Sequence, residues 1–169
     1  LQYDIMLESF TKTKESWDMS NEEKIEAALA KKEAGNAYFK AGKNARALKR
    51  YEQGVKYIEH DGQFPDALKG ECKAIKLAVF SNSAAACLKL KRYKEAVTNA
   101  NKTLELDPVH QKALFRRAQA YSGLDDHEEA ELDLKKLIEM DSGNRDARAE
   151  LKRLRAKQSM QMKKDSAIF

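Results

Sequence analysis

The sequence predicts an all-α solenoid of seven helices, and three observations predict it. A pattern 34 residues long recurs three times in register. The composition, with 35% charged residues, a mean hydropathy of −0.74, seven Gly and two Pro, suits helices that bury one stripe and leave the rest wet. Residues 145–169 contain no Gly or Pro to interrupt a closing helix.

At 169 residues the chain is long enough for one domain with a sizeable core. Cys72 and Cys87 match neither a disulfide framework nor a paired zinc motif, and read as buried free thiols in a reducing compartment. No apolar run approaches the roughly 18 residues of a membrane span, and no secretory signal opens the chain. A start at Leu1 instead of Met leads us to expect a piece of a longer protein. The charge of +5 is local, because residues 145–169 hold eight Lys/Arg against three Asp/Glu and the rest is neutral. A basic tail on a neutral body argues against a general nucleic-acid reading.

Residues 1–27 are expected to be the end of a preceding domain and a linker. Leu1, Tyr3, Ile5 and Leu7 alternate as in a strand, and Ser20-Asn21-Glu22-Glu23 suits a helix start with its acidic first turn. Trp17 reads as a helix anchor. Residues 28–144 then divide into three units, 28–61, 77–110 and 111–144, with an insertion at 62–76 expected as a longer loop with extended helix ends. Small residues recur at position 8 of each unit (Gly35, Ala84, Ala118) and at position 20 (Ala47, Ala96, Ala130). They let the two helices of a unit approach closely. This period and these positions resemble the tetratricopeptide repeat (TPR), which implies antiparallel helix pairs stacked in a right-handed solenoid. The last pair of a solenoid needs a cap, which residues 145–169 are expected to supply as a basic helix docking through Ala147, Leu151 and Leu154.

The first helix of each unit has two faces. Ala34, Gly35 and Tyr38, then Phe80, Ser83, Ala84 and Cys87, then Leu114, Ala118 and Tyr121 form the packing face, with Lys31 and Arg117 as misfits. The opposite face carries Lys32, Asn36, Asn82, Lys112 and Arg116, which stacked repeats direct into one concave groove. One lysine alone on such a face is a solvated residue. Three cations and two amides together call for an anion, and a C-terminal Asp offers two carboxylates in a small volume.

Those five positions resemble the two-carboxylate clamp of TPR co-chaperones. The clamp grips the Glu-Glu-Val-Asp terminus of 90-kDa and 70-kDa heat-shock proteins. The resemblance implies that Phe39 and Ala85 line an apolar peptide pocket. The linker and first repeat are further similar to large FKBP-type immunophilins, which implies an upstream peptidyl-prolyl isomerase domain and a cytoplasmic or nuclear setting. This chain itself then has no enzymatic role and needs no cofactor. Lys152, Arg153, Arg155 and Lys157, interleaved with Leu151, Leu154, Met160 and Met162, resemble a calmodulin target, against the simpler reading of a capping helix with a wet outer face. His60, His110 and His127 lie far apart and match no catalytic or metal spacing. The alternatives are a TPR scaffold for an internal peptide and a calmodulin- or anion-binding tail.

Overall fold

A computed structural model describes residues 15–168, which lie in seven α-helices and two short 3-10 turns. The strand reading for the first ten residues falls outside the described residues. The helices are α1 (Asn21–Lys40), α2 (Asn44–Ile58), α3 (Asp66–Lys89), α4 (Tyr93–Leu106), α5 (Gln111–Gly123), α6 (His127–Met140) and α7 (Arg145–Ile168).

Side chains fix where several helices start. Ser20 Oγ accepts the Glu23 amide at 3.1 Å and opens α1. His110 Nδ1 accepts the Ala113 amide at 3.2 Å and opens α5; Asn144 Oδ1 accepts the Ala147 amide at 3.0 Å and opens α7. His110 and Asn144 both stand last in their 34-residue units, so two of the three units end on the cap of the next helix. Each hairpin turn also places the same repeat position in the left-handed region, at Gly42 (φ 77°), Lys91 (φ 58°) and Asp125 (φ 61°). The amide that follows bonds back to the preceding helix each time: Lys43 to the Tyr38 carbonyl, Arg92 to Cys87 and Asp126 to Tyr121, all at 2.9 Å.

Consecutive helices pack in antiparallel pairs, and α1, α3, α5 and α7 also touch in series. That series forms one layer of the solenoid. Close approach within the first pair depends on Gly35, because a Cβ there would stand 2.5 Å from the Tyr51 ring. The closing helix docks through Ala147, Leu151 and Leu154 against Leu134 and Leu137.

Three details differ from the sequence reading. Most of the insertion is helical, since residues 66–76 form the first turns of α3 and bury Cys72 and Ile75 at the α1–α2 core. Phe80 is only half-buried, and Val79 occupies the packed place beside it. Trp17 is 77% exposed and anchors no helix among the described residues.

Candidate functional site: the concave groove

The layer of α1, α3, α5 and α7 walls a groove. Two hollows, of about 790 and 490 Å³, meet at Phe39, the larger toward α5 and α7 and the smaller between α1 and α3. Asn36 and Asn82 share the smaller one, and Ala85, Lys112 and Arg116 line the larger.

The two amides are wired together. Asn82 Nδ2 donates to Asn36 Oδ1 at 3.1 Å, and the buried Tyr51 hydroxyl donates to the same oxygen at 2.6 Å. With its carbonyl oxygen doubly occupied, Asn36 has only its Nδ2 protons left to offer a ligand. Burial pushes the Tyr51 phenol up, opposed by the neighbouring Asn82 and Arg116, so amides, phenol and guanidinium share one small region.

Arg116 is the unusual charge of the groove. Its Nη1 donates to the Ser81 carbonyl and to Ser81 Oγ, both at 2.7 Å, and no carboxylate among the described residues pairs with it. Burial pulls its guanidinium below its ordinary value. Its neighbour Arg117 differs, making two bonds of 2.8 and 2.6 Å to the buried Asp133 carboxylate and a third to Asn101 at 2.9 Å. Arg117, a misfit on the packing face, is therefore neutralised between α5 and α6. Lys31, the other misfit, lays its Cβ over Gly54.

The remaining positions fall into two groups. Lys112 is exposed in the larger hollow beside Arg116. Lys32 stands half-buried one turn before Asn36, outside the lining of either hollow. Phe39 and Ala85 are joined by Leu88, Tyr93 and Phe115, an apolar wall the sequence reading did not complete.

On α7, Arg153 and Lys157 line the groove, whereas Lys152 and Arg155 do not. Three of these cations are engaged within the fold: Arg153 with Glu150 at 3.4 Å, Arg155 with Glu131 at 3.1 Å, and Lys157 with Asp125 at 3.0 Å and the Ser122 carbonyl at 2.7 Å. Leu154 is 1% exposed in the core, so this stretch of α7 is chiefly a docking surface for its own repeat array.

Sequence reasoning also missed Tyr51 and Ser81, which orient the amide and the guanidinium. A signal for Tyr51 was present. Where the other units pair Ala with Ala100 or Leu134, the first pairs the smaller Gly35 with the larger Tyr51.

A family model for the tetratricopeptide repeat matches residues 111–144. Over its whole length the chain is 37% identical to the peptidyl-prolyl cis-trans isomerase FKBP4 of Bos taurus, of which it spans 37%. Among solved structures it is similar to the C-terminal TPR-containing domain of a putative FK506-binding protein of Plasmodium falciparum. That match has a TM-score of 0.82 and 28% identity, covering 88% of this chain and 99% of that one. It is also similar to the first TPR domain of Spaghetti (RPAP3), solved bound to the HSP90 peptide SRMEEVD. There the TM-score is 0.65 and the identity 28%, covering 79% of this chain and 94% of that one.

Proposed function

Starting from a chain that is a tetratricopeptide-repeat domain homologous to the C-terminal region of FKBP-type isomerases, we propose that its groove grips the C-terminal Glu-Glu-Val-Asp of a 90-kDa heat-shock protein. A 70-kDa heat-shock protein with the same terminus fits the same groove chemistry.

One observation carries this reading. Arg116 sits in the groove beside the Asn36–Asn82 pair with only a carbonyl and a hydroxyl to serve it. A cation taken out of water without a counter-ion is costly, and an incoming carboxylate offsets that cost. In the proposed complex Asn36 and Asn82 donate to the terminal residue's carboxylate and main chain, while Lys32, Lys112 and Arg116 balance its charge. Phe39, Ala85 and their apolar neighbours receive the side chains just upstream.

In a longer protein this module tethers an upstream isomerase domain to the chaperone and its clients, in the cytoplasm or nucleus. The chain itself is a binding module, and an isomerase assay on it should read background. Calmodulin is the weaker reading of α7, because two of its four candidate cations, Arg155 and Lys157, already tie the helix to the rest of the fold.

Calorimetry with Met-Glu-Glu-Val-Asp, as free acid and as C-terminal amide, tests the proposal. The acid should bind at about micromolar Kd, near −8 kcal/mol. Amidation should abolish binding, and Arg116→Ala should weaken it by about 1.5–3 kcal/mol, the worth of a charge-assisted bond. Equal binding of acid and amide would replace the clamp with a scaffold for an internal peptide.

A further inference from the structure

Charge along the hairpin edge of the solenoid is strongly uneven. From Lys40 to Arg50, across the α1–α2 turn, lie five Lys/Arg and no Asp/Glu. From Lys89 to Lys94, across the α3–α4 turn, lie four Lys/Arg and again no acid. The third equivalent turn is the reverse: residues 124–129 hold Asp125, Asp126, Glu128 and Glu129 and no Lys/Arg. The neutral body of the chain therefore conceals a polarity.

Little inside the fold compensates the basic stretch. Lys40, Lys43, Arg46, Lys89, Lys91, Arg92 and Lys94 are all exposed. Their only ion pair among the described residues is Arg92 with Glu95, at 4.0 Å. Arg46 and Arg50 lie over the Tyr38 ring, 6.0 and 5.7 Å from its centre. Arg50, first by hydrogen bonding and then by its charge, with smaller help from the charges of Arg46 and Lys43, holds the Tyr38 phenol below its ordinary value.

This edge is continuous with the groove. Lys40 lines the smaller hollow with Asn36 and Asn82, and Lys89 lines the larger with Lys112 and Arg116. A helix rises about 1.5 Å per residue, so Lys89 stands about 10 Å beyond Asn82 along α3. An extended chain covers that in about three residues. A peptide whose last residue sits at the amides, with its apolar side chains against Phe39 and Leu88, leaves the groove across these lysines.

Resting on the groove as a seat for an acidic C-terminus, we propose that the edge formed by the α1–α2 and α3–α4 turns is a second subsite. The third residue before the terminus reaches Lys89, and the turns beyond it take carboxylates of the same tail from about the fifth residue before the terminus onward. The acidic α5–α6 turn repels such a run and so steers it toward α1 and α3. The class of ligand is an acidic tail longer than the clamp alone can read.

The test compares three peptides by calorimetry at low ionic strength. They are Met-Glu-Glu-Val-Asp, the same peptide preceded by Asp-Glu-Asp-Glu, and the same preceded by Ser-Gly-Ser-Gly. The acidic extension should bind about tenfold more tightly than the Ser-Gly one, the scale of several exposed ion pairs acting together, and added salt should remove that gain. A variant carrying Lys43→Glu, Arg46→Glu and Arg92→Glu should lose the gain yet bind the short peptide as before, with an unchanged helical melting curve. Equal binding of the two extended peptides, with the short one still sensitive to amidation, overturns the edge and leaves the groove. Binding of the acidic extension that survives both amidation and Arg116→Ala supports the edge and overturns the groove reading.

Discussion

Two adjacent arginines on α5 meet opposite surroundings, and the difference is what makes a groove out of a helix layer. Arg117 points into the α5–α6 interface, where Asp133 gives it two short bonds. Arg116 points into the groove and finds only Ser81. Both read from sequence as cations on a helix. The acid across the interface could not be read, because a two-pronged pair depends on how α5 and α6 cross. Tyr51 is the other residue on which the site turns. It reaches Asn36 because Gly35 leaves room for its ring, and its hydroxyl fixes which way the amide faces. Replacing Tyr51 with Phe removes one hydrogen bond, worth about 1 kcal/mol. We expect a modest drop in melting temperature, and a roughly fivefold loss of affinity for the acidic peptide in calorimetry. Loss of stability with no change in affinity would reduce Tyr51 to a packing residue.

At the level of whole elements, α7 is held by buried leucines and by ion pairs at its flank. Lys157 keeps the Asp125 carboxyl below its ordinary value, and Arg155, with Lys135, does the same for Glu131. A carboxylate depressed in the fold adds stability that is complete above its unfolded value, near 4. That stability is lost as pH falls through the lowered folded value. Hydrogen exchange should therefore show α7 amides losing protection before those of α1 as the solution is acidified below about pH 4. Simultaneous loss in both helices would mean that these pairs do nothing for docking. The hairpin turns give a second prediction at this scale. Gly42, Lys91 and Asp125 share one left-handed conformation, and only the first is a residue without a Cβ. Lys91→Gly should raise stability by about 1 kcal/mol, read as a higher urea midpoint at unchanged slope. Asp125 is a poorer candidate because it also pairs with Lys157. The insertion before α3 was only partly legible, since Pro65 marks a break but nothing local says that helix resumes at the next residue.

In the whole molecule, legibility follows repetition. The period of 34 residues and its small side chains are written three times, so the paired helices were legible, as was the face that brings Asn36, Asn82, Lys112 and Arg116 to the groove; Lys32, read with them, lies outside the lining of both hollows. Features that occur once were harder to read: the Gly35–Tyr51 fit, the Arg117–Asp133 pair, the folded α7 cations. Each rests on contacts between helices that local spacing does not encode. In a solenoid each repeat leans mainly on its neighbours, so such single contacts distinguish one interface from the next without altering the architecture.

Trp17 has a consequence of a different kind. It is the chain's one tryptophan, and its ring already meets water in the folded state. Selective excitation of that indole reports on the 3-10 turn before α1, where the side chain is 77% exposed, and not on the buried helical core. We therefore expect thermal or urea unfolding of this domain to change indole emission little while the helical circular-dichroism signal disappears. A change of indole emission on adding a peptide would mean that the peptide, or a segment it displaces, has reached the approach to α1 and not the floor of the groove.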